Sequence, residues 1–137
     1  MDSSEILIQL SKHSPSSLKT LGGAFVSLDV HQQAIEMSFD IDDRFCHSGN
    51  VVQGGFITGM LDAAMAYAAI GSFGLDIRVP TLEIKVSFIS PGNPGRLIAR
   101  GNIVHAGRST LFLAAQLHQL GRLVATATST AKLVRTK

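Results

Sequence analysis

Cysteine is almost missing from this chain, and tryptophan is absent: Cys46 stands alone in 137 residues. One cysteine excludes an internal disulfide framework and fits a reducing compartment. Charge is also scarce. Twelve Lys and Arg against ten Asp and Glu leave a formal net charge of +2, too little for an electrostatic footprint on nucleic acid. No charge-free apolar run reaches the about 18 residues that a bilayer span needs. The start, MDSSEILIQL, lacks the basic opening of a secretion signal. A cytoplasmic protein with no membrane and no nucleic-acid partner is expected. His13, His31, His105 and His118 show no grouping at metal-ligand spacing, so no metal site is expected. Repeats, low-complexity segments and interdomain linkers are missing too. One domain over residues 1–137 follows, with 1–21 as an N-terminal helix and connector. What the chain has in plenty is apolar side chains, 45% of the total. That is more than a monomer usually needs to cover its core, which suits an oligomer.

The periodicity changes along the chain. Residues 3–13 read as a short helix capped by Ser3 or Ser4, with Ile6, Leu7 and Leu10 as its stripe; SPSS at 14–17 ends it. Strands are expected near 24–30 and 34–40 around a turn at His31-Gln32-Gln33, because Ile35, Met37 and Phe39 alternate with polar residues. A polar loop spans Asp40 to Val52. After Gly71 the alternation returns: Leu82, Ile84, Val86 and Phe88 against Thr81, Glu83, Lys85 and Ser87. SPGNPG at 90–95 is a turn. Strands near 96–105 and 109–118 flank the hairpin signal Ala106-Gly107-Arg108, and Gly121 leads into a last strand near 122–134. One long helix against six mostly antiparallel strands is an α+β domain with the sheet curled round the helix.

The most informative stretch is CHSGNVVQGGFITGMLDAAMAYAAIG, from Cys46 to Gly71. It predicts a nearly all-apolar, buried helix that carries a single charge, Asp62. Aspartate is a poor helix former, and an unpaired buried carboxylate is costly. Gln53, Gly54 and Gly55 stand where the helix begins. The first amides of a helix have no intrahelical partner and favour negative charge, and glycine lets a ligand come close to them. An oxyanion forming on a carbonyl can be held there. Gly54 and Asp62 are eight residues apart, about 12 Å along the axis at 1.5 Å per residue, so one copy cannot bring both to one carbonyl. Two copies with antiparallel helices can. The expectation is a homodimer with two equivalent sites at its interface.

These elements, and the 47–62 region above all, resemble the hotdog fold: a curved, mostly antiparallel six-stranded sheet wrapped around one long central helix. The resemblance runs from about residue 22 to 134. It is to the acyl-CoA thioesterase branch, of the phenylacetate-pathway and 4-hydroxybenzoyl-CoA thioesterase type. That family shows Asn or Gln, then His-Gly-Gly at the helix start, then Asp or Glu nine residues after the His. Here the positions hold His47, then Gln53-Gly54-Gly55, then Asp62. Gln53 replaces the usual His, and His47 stands where an amide is common, with Asn50 nearby. The resemblance implies that the Gly54 amide, with Gly55, polarises the thioester carbonyl, and that Asp62 of the partner acts as general base or nucleophile. It implies that Thr81, and His47 or Asn50, position water or carboxylate, and that Arg108 in VHAGRST meets coenzyme A phosphates. Thiolate is a good leaving group, so no cofactor is implied beyond the coenzyme A of the substrate. A homodimer, further paired into a tetramer, is implied as well.

The other basic side chains, Arg96, Arg122, Arg135, Lys132 and Lys137, read as a solvated rim. Cys46 is a weak nucleophile candidate because adjacent residues seldom point at one another, and His47 is its neighbour. Two rival functions share the pattern. A hotdog 3-hydroxyacyl thioester dehydratase or hydratase would use His47 and Asp62 together, although the Gly-Gly start fits hydrolysis better. A non-catalytic acyl-CoA-binding module would bind without turnover.

Overall fold

The computed structural model describes residues 1–136. The chain begins with α1 (Ser3–Lys12) and α2 (Ser16–Thr20), then forms β1 (Gly23–Asp29) and β2 (Ala34–Ile41). A 3₁₀ turn over Asp43–Phe45 and a small hairpin, β3 (Cys46–Ser48) with β4 (Val51–Val52), lead into α3 (Gly54–Phe73). There follow β5 (Ile77–Arg78), β6 (Thr81–Phe88), β7 (Gly95–Ala106), β8 (Thr110–Gln119), β9 (Arg122–Lys132) and β10 (Val134–Arg135). The main sheet has six strands in the order β1-β2-β7-β8-β9-β6, all antiparallel. A short ribbon of β5 and β10 stands apart.

The sheet buries one face against α3. Leu97, Ala99, Gly101 and Ile103 on β7 alternate inward, as do Leu111, Leu113, Ala115 and Leu117 on β8. From α3, Ile57, Met60, Leu61, Ala64, Met65, Ala68 and Ala69 meet them. The small residues let the helix lie close. At Gly101 a Cβ would collide with the Ala64 carbonyl, so only glycine fits at that crossing. By length and composition α3 could cross a membrane, but its apolar face is spent on the sheet.

Several expectations need correction. Asp2, not Ser3 or Ser4, caps α1: its carboxylate accepts the Glu5 N–H at 2.9 Å, and Glu5 answers from the Asp2 N–H at 3.2 Å, a capping box. The SPSS segment does not simply end a helix, because Pro15 starts α2. The polar loop contains the 3₁₀ turn and the β3–β4 hairpin. The helix is not buried all round: Thr58, Asp62, Ala63, Ala66 and Tyr67 are half-buried on the side turned away from the sheet. The alternation on β6 is only half effective. Ile84 and Val86 are half-buried, but Leu82 is 59% and Phe88 56% exposed. A bulge between Thr81 and Glu83 breaks the register, and β6 is an edge strand with nothing beyond it among the described residues.

Candidate active site

The start of α3 is the first half of the site. Gln53 is the N-cap, in extended backbone, and its Oε1 accepts the Gly55 N–H at 2.8 Å. A Cβ at 55 would stand 2.8 Å from the same oxygen, so a side chain there would push the Gln53 cap aside. Gly55 therefore has no free donor. The Phe56 and Ile57 N–H groups return to the Gln53 carbonyl. Among the described residues no hydrogen bond ends on the Gly54 N–H. This amide, at the positive end of a 20-residue helix, is the free donor of the pair. A Cβ at Gly54 would stand 3.1 Å from the ring of Phe88, an exposed side chain that would have to yield by only a few tenths of an ångström.

A cavity of about 360 Å³ opens in front of Gly54, with Val52, Ile57, Phe88, Ile89, Pro91, Gly92 and His47 among its walls. His47 is thus brought to Gly54. Its Nδ1 is paired with Ser48 Oγ at 2.8 Å. Asn50 is at the exposed hairpin tip and is not in the wall; its carbonyl accepts Asn93 Nδ2 at 3.0 Å. Of the two candidates for the amide position, His47 is the one placed at the cavity. The loop before it is held by Asp42, whose carboxylate accepts both the Arg44 Nε at 3.0 Å and the Arg44 N–H at 2.9 Å. The side-chain bond from Arg44, first, and its backbone N–H keep the Asp42 carboxyl below the ordinary range.

Asp62 is the second half. Thr81 Oγ1 donates to Asp62 Oδ1 at 2.7 Å, joining two predicted residues across 19 positions. Oδ2 has no hydrogen-bond partner among the described residues. Asp62 is half-buried on the open side of α3, not sunk in the core. It lines a different cavity, of about 320 Å³, with Pro15, Leu18, Leu21, Gly59, Ala63 and Tyr67. The N-terminal segment supplies one wall of it. Tyr67, edge-on to Phe25 at 4.9 Å, has its phenol pushed up by burial. Arg108 lies in the exposed β7–β8 turn. Thr81 and Leu111 both pair with Ala131, so Arg108 is at the Thr81 end of the sheet, whereas Phe88, at the other end of β6, covers Gly54. Among the described residues no group of three His, Cys, Asp or Glu could hold a metal ion.

Sequence reasoning missed one wall. Ser90, Pro91 and Gly92, taken only as a turn, line the Gly54 cavity. The composition of SPGNPG signals a turn and nothing about what the turn faces.

A curved antiparallel sheet around one long central helix defines the hotdog fold. Residues 49–126, more than half of the chain, match the thioesterase superfamily. The chain belongs to that superfamily, and it is a thioester hydrolase with the hotdog fold. Among solved structures, a phenylacetic acid degradation-related protein of Ralstonia eutropha is similar at 29% identity and a TM-score of 0.85, over 93% of this chain and 98% of that one. The E. coli PaaI protein, from the phenylacetic acid degradation operon, has 19% identity and a TM-score of 0.84, over 97% and 96%. A thioesterase of Haemophilus influenzae has 17% identity and a TM-score of 0.83, over 99% and 92%. The latter two show the fold alone. No functionally curated protein matches the chain in sequence.

Proposed function

We propose that the chain hydrolyses an acyl- or aryl-CoA thioester to the free acid and coenzyme A, at two sites shared between the subunits of a homodimer. The observation that supports this reading best is the separation of the half-sites. Gly54, whose N–H is free, lines one cavity and Asp62 another, on one continuous helix. Each half lacks what the other has. The open edge at β6, with Leu82, Phe88 and Ile89 exposed, gives the second copy a place to join.

In this reading the carbonyl oxygen of the thioester sits at Gly54 of one subunit. The developing oxyanion accepts that N–H, strengthened by the helix dipole. Asp62 of the partner uses Oδ2 to take a proton from the attacking water, or attacks the carbonyl itself to form an acyl-aspartyl anhydride that water then hydrolyses to the free acid, while Thr81 holds Oδ1. Collapse of the tetrahedral intermediate expels the thiolate of coenzyme A. His47 Nε2 orients water at the cavity mouth, and Arg108 meets the phosphates of coenzyme A, as part of a dimer that pairs into a tetramer.

The test is subunit complementation in a thiol-release assay, starting from arylacetyl thioesters because two of the similar structures are named for phenylacetic acid degradation. Asp62→Asn and Gly54→Pro are each expected to be inactive. Mixed and reassembled, half of the dimers carry one intact site, so about a quarter of wild-type activity returns. No return on mixing would overturn the shared site, and thiol release by Asp62→Asn at the wild-type rate would remove Asp62 from the chemistry.

A further inference from the structure

Gln119 is the last residue of β8 and is only 4% exposed. A buried amide is costly unless bonded at both ends, and this one spends both ends on a single residue. Its Oε1 accepts the Asn93 N–H at 2.9 Å, and its Nε2 donates to the Asn93 carbonyl at 2.8 Å. The side chain thus grips the 90–93 turn as a neighbouring strand would. Three residues further, Arg122 Nη1 donates to Ser90 Oγ at 2.7 Å and to the Pro91 carbonyl at 2.6 Å. Ser90 Oγ donates in turn to the Leu123 carbonyl at 2.6 Å. Arg122 is exposed, but its guanidinium is bound to this turn as well as to solvent.

The gripped turn carries the site on two threads. The Val52 N–H donates to the Gly92 carbonyl at 2.9 Å, two residues before Gly54. Asn93 Nδ2 donates to the Asn50 carbonyl at 3.0 Å, at the tip of the hairpin that holds His47. Ser90, Pro91 and Gly92 are themselves cavity wall.

We propose that Gln119, assisted by Arg122, is a positioning residue for thioester hydrolysis: it holds the 90–93 turn and through it the start of α3, so that the Gly54 N–H meets the oxyanion. This rests on the reading of Gly54 given above. Displacing a positioned group by about 1 Å can cost on the order of 100-fold in rate, and a donor used mainly in the transition state is lost from kcat more than from KM.

Gln119→Met keeps the shape and removes both bonds. Its kcat is expected to fall at least about tenfold with KM changed less than about threefold, while Gln116→Leu, on the exposed face of the same strand, stays at the wild-type rate. Arg122→Ala, at an exposed position, is the second arm should Gln119→Met fail to fold; a fall of several-fold in kcat is expected. A lower melting temperature with wild-type kcat per folded protein in both variants would overturn the proposal and leave Gln119 a purely structural residue. Gly54→Pro separates the two claims. Full activity in that variant with reduced kcat in Gln119→Met would remove Gly54 as the donor and keep the positioning of the cavity wall.

Discussion

At the Gly54 end of α3 the group proposed to act is a backbone N–H, and eight residues on, at Asp62, it is a side chain. The surroundings differ accordingly. The amide end is held rigidly: Gln53 caps it, Phe88 covers it, and the 90–93 turn is tied to β4 and β9. The acid in the middle has one hydroxyl for company, Thr81, and otherwise faces a cavity. A backbone donor can be aimed only by fixing the chain that bears it, so its support is a network. A carboxylate can be aimed by one hydrogen bond and leaves its second oxygen free for proton transfer. The contrast teaches where substitutions will be felt as lost chemistry and where as lost order.

The largest effect is expected at the acid. Asp62→Asn keeps an acceptor for Thr81 and removes the base, so kcat should drop about 10²–10⁴-fold with little change in stability; steady-state thiol release measures it. Next comes the amide. Proline is accepted at the first position of a helix, and Gln53, with φ −67° and ψ 137°, already has the extended backbone that precedes proline. Gly54→Pro should therefore keep the helix, seen by circular dichroism, and lose about 10²–10³ in kcat. Thr81→Val removes the hydrogen bond to Asp62 at constant shape and should cost about tenfold in kcat, in line with about 1.5 kcal/mol for a hydrogen bond to a charged group. If it cost as much as Asp62→Asn, Thr81 would be more than an aligner.

Gln53→Ala should be felt mainly as order: about 1 kcal/mol of stability in urea unfolding, from the lost cap. The smallest effect is alkaline. Burial raises the Tyr67 phenol in the folded chain, so the unfolded chain releases its proton first, and stability is present below the unfolded value and falls as pH rises through the folded one. Tyr67→Phe should flatten that alkaline limb of the melting temperature, with neutral-pH activity retained.

Much of this was readable in advance, for a local reason. The long helix, the β1–β2 and β7–β8 hairpins and the turn at 90–95 show themselves through periodicity and turn residues within a few positions of one another. Asp62 stood out because a lone acid in an apolar helix conflicts with its own surroundings, and the glycine pair because it falls at a helix start. Thr81 came from a family resemblance as a hydroxyl that positions water or carboxylate, and the structure supplies its partner, Asp62. Other features were out of reach. Nothing near Gln119 says that its amide faces Asn93, 26 residues away. Nothing in Ser16–Thr20 says that this segment walls the Asp62 cavity, and the exposure of Leu82 comes from a bulge and an edge that alternation cannot show.

Side-chain period and backbone stiffness act over a few residues, so the order of residues was enough to set the class of fold, the long helix and the identity of its one acid. Direction in space is another matter. Which of two neighbouring glycine amides stays free, which of His47 and Asn50 reaches the cavity, and where a buried glutamine spends its hydrogen bonds depend on strands that meet only after the sheet has closed round the helix. Those choices belong to long-range packing, because a hydrogen bond is decided within a few tenths of an ångström, and no local pattern specifies position that finely.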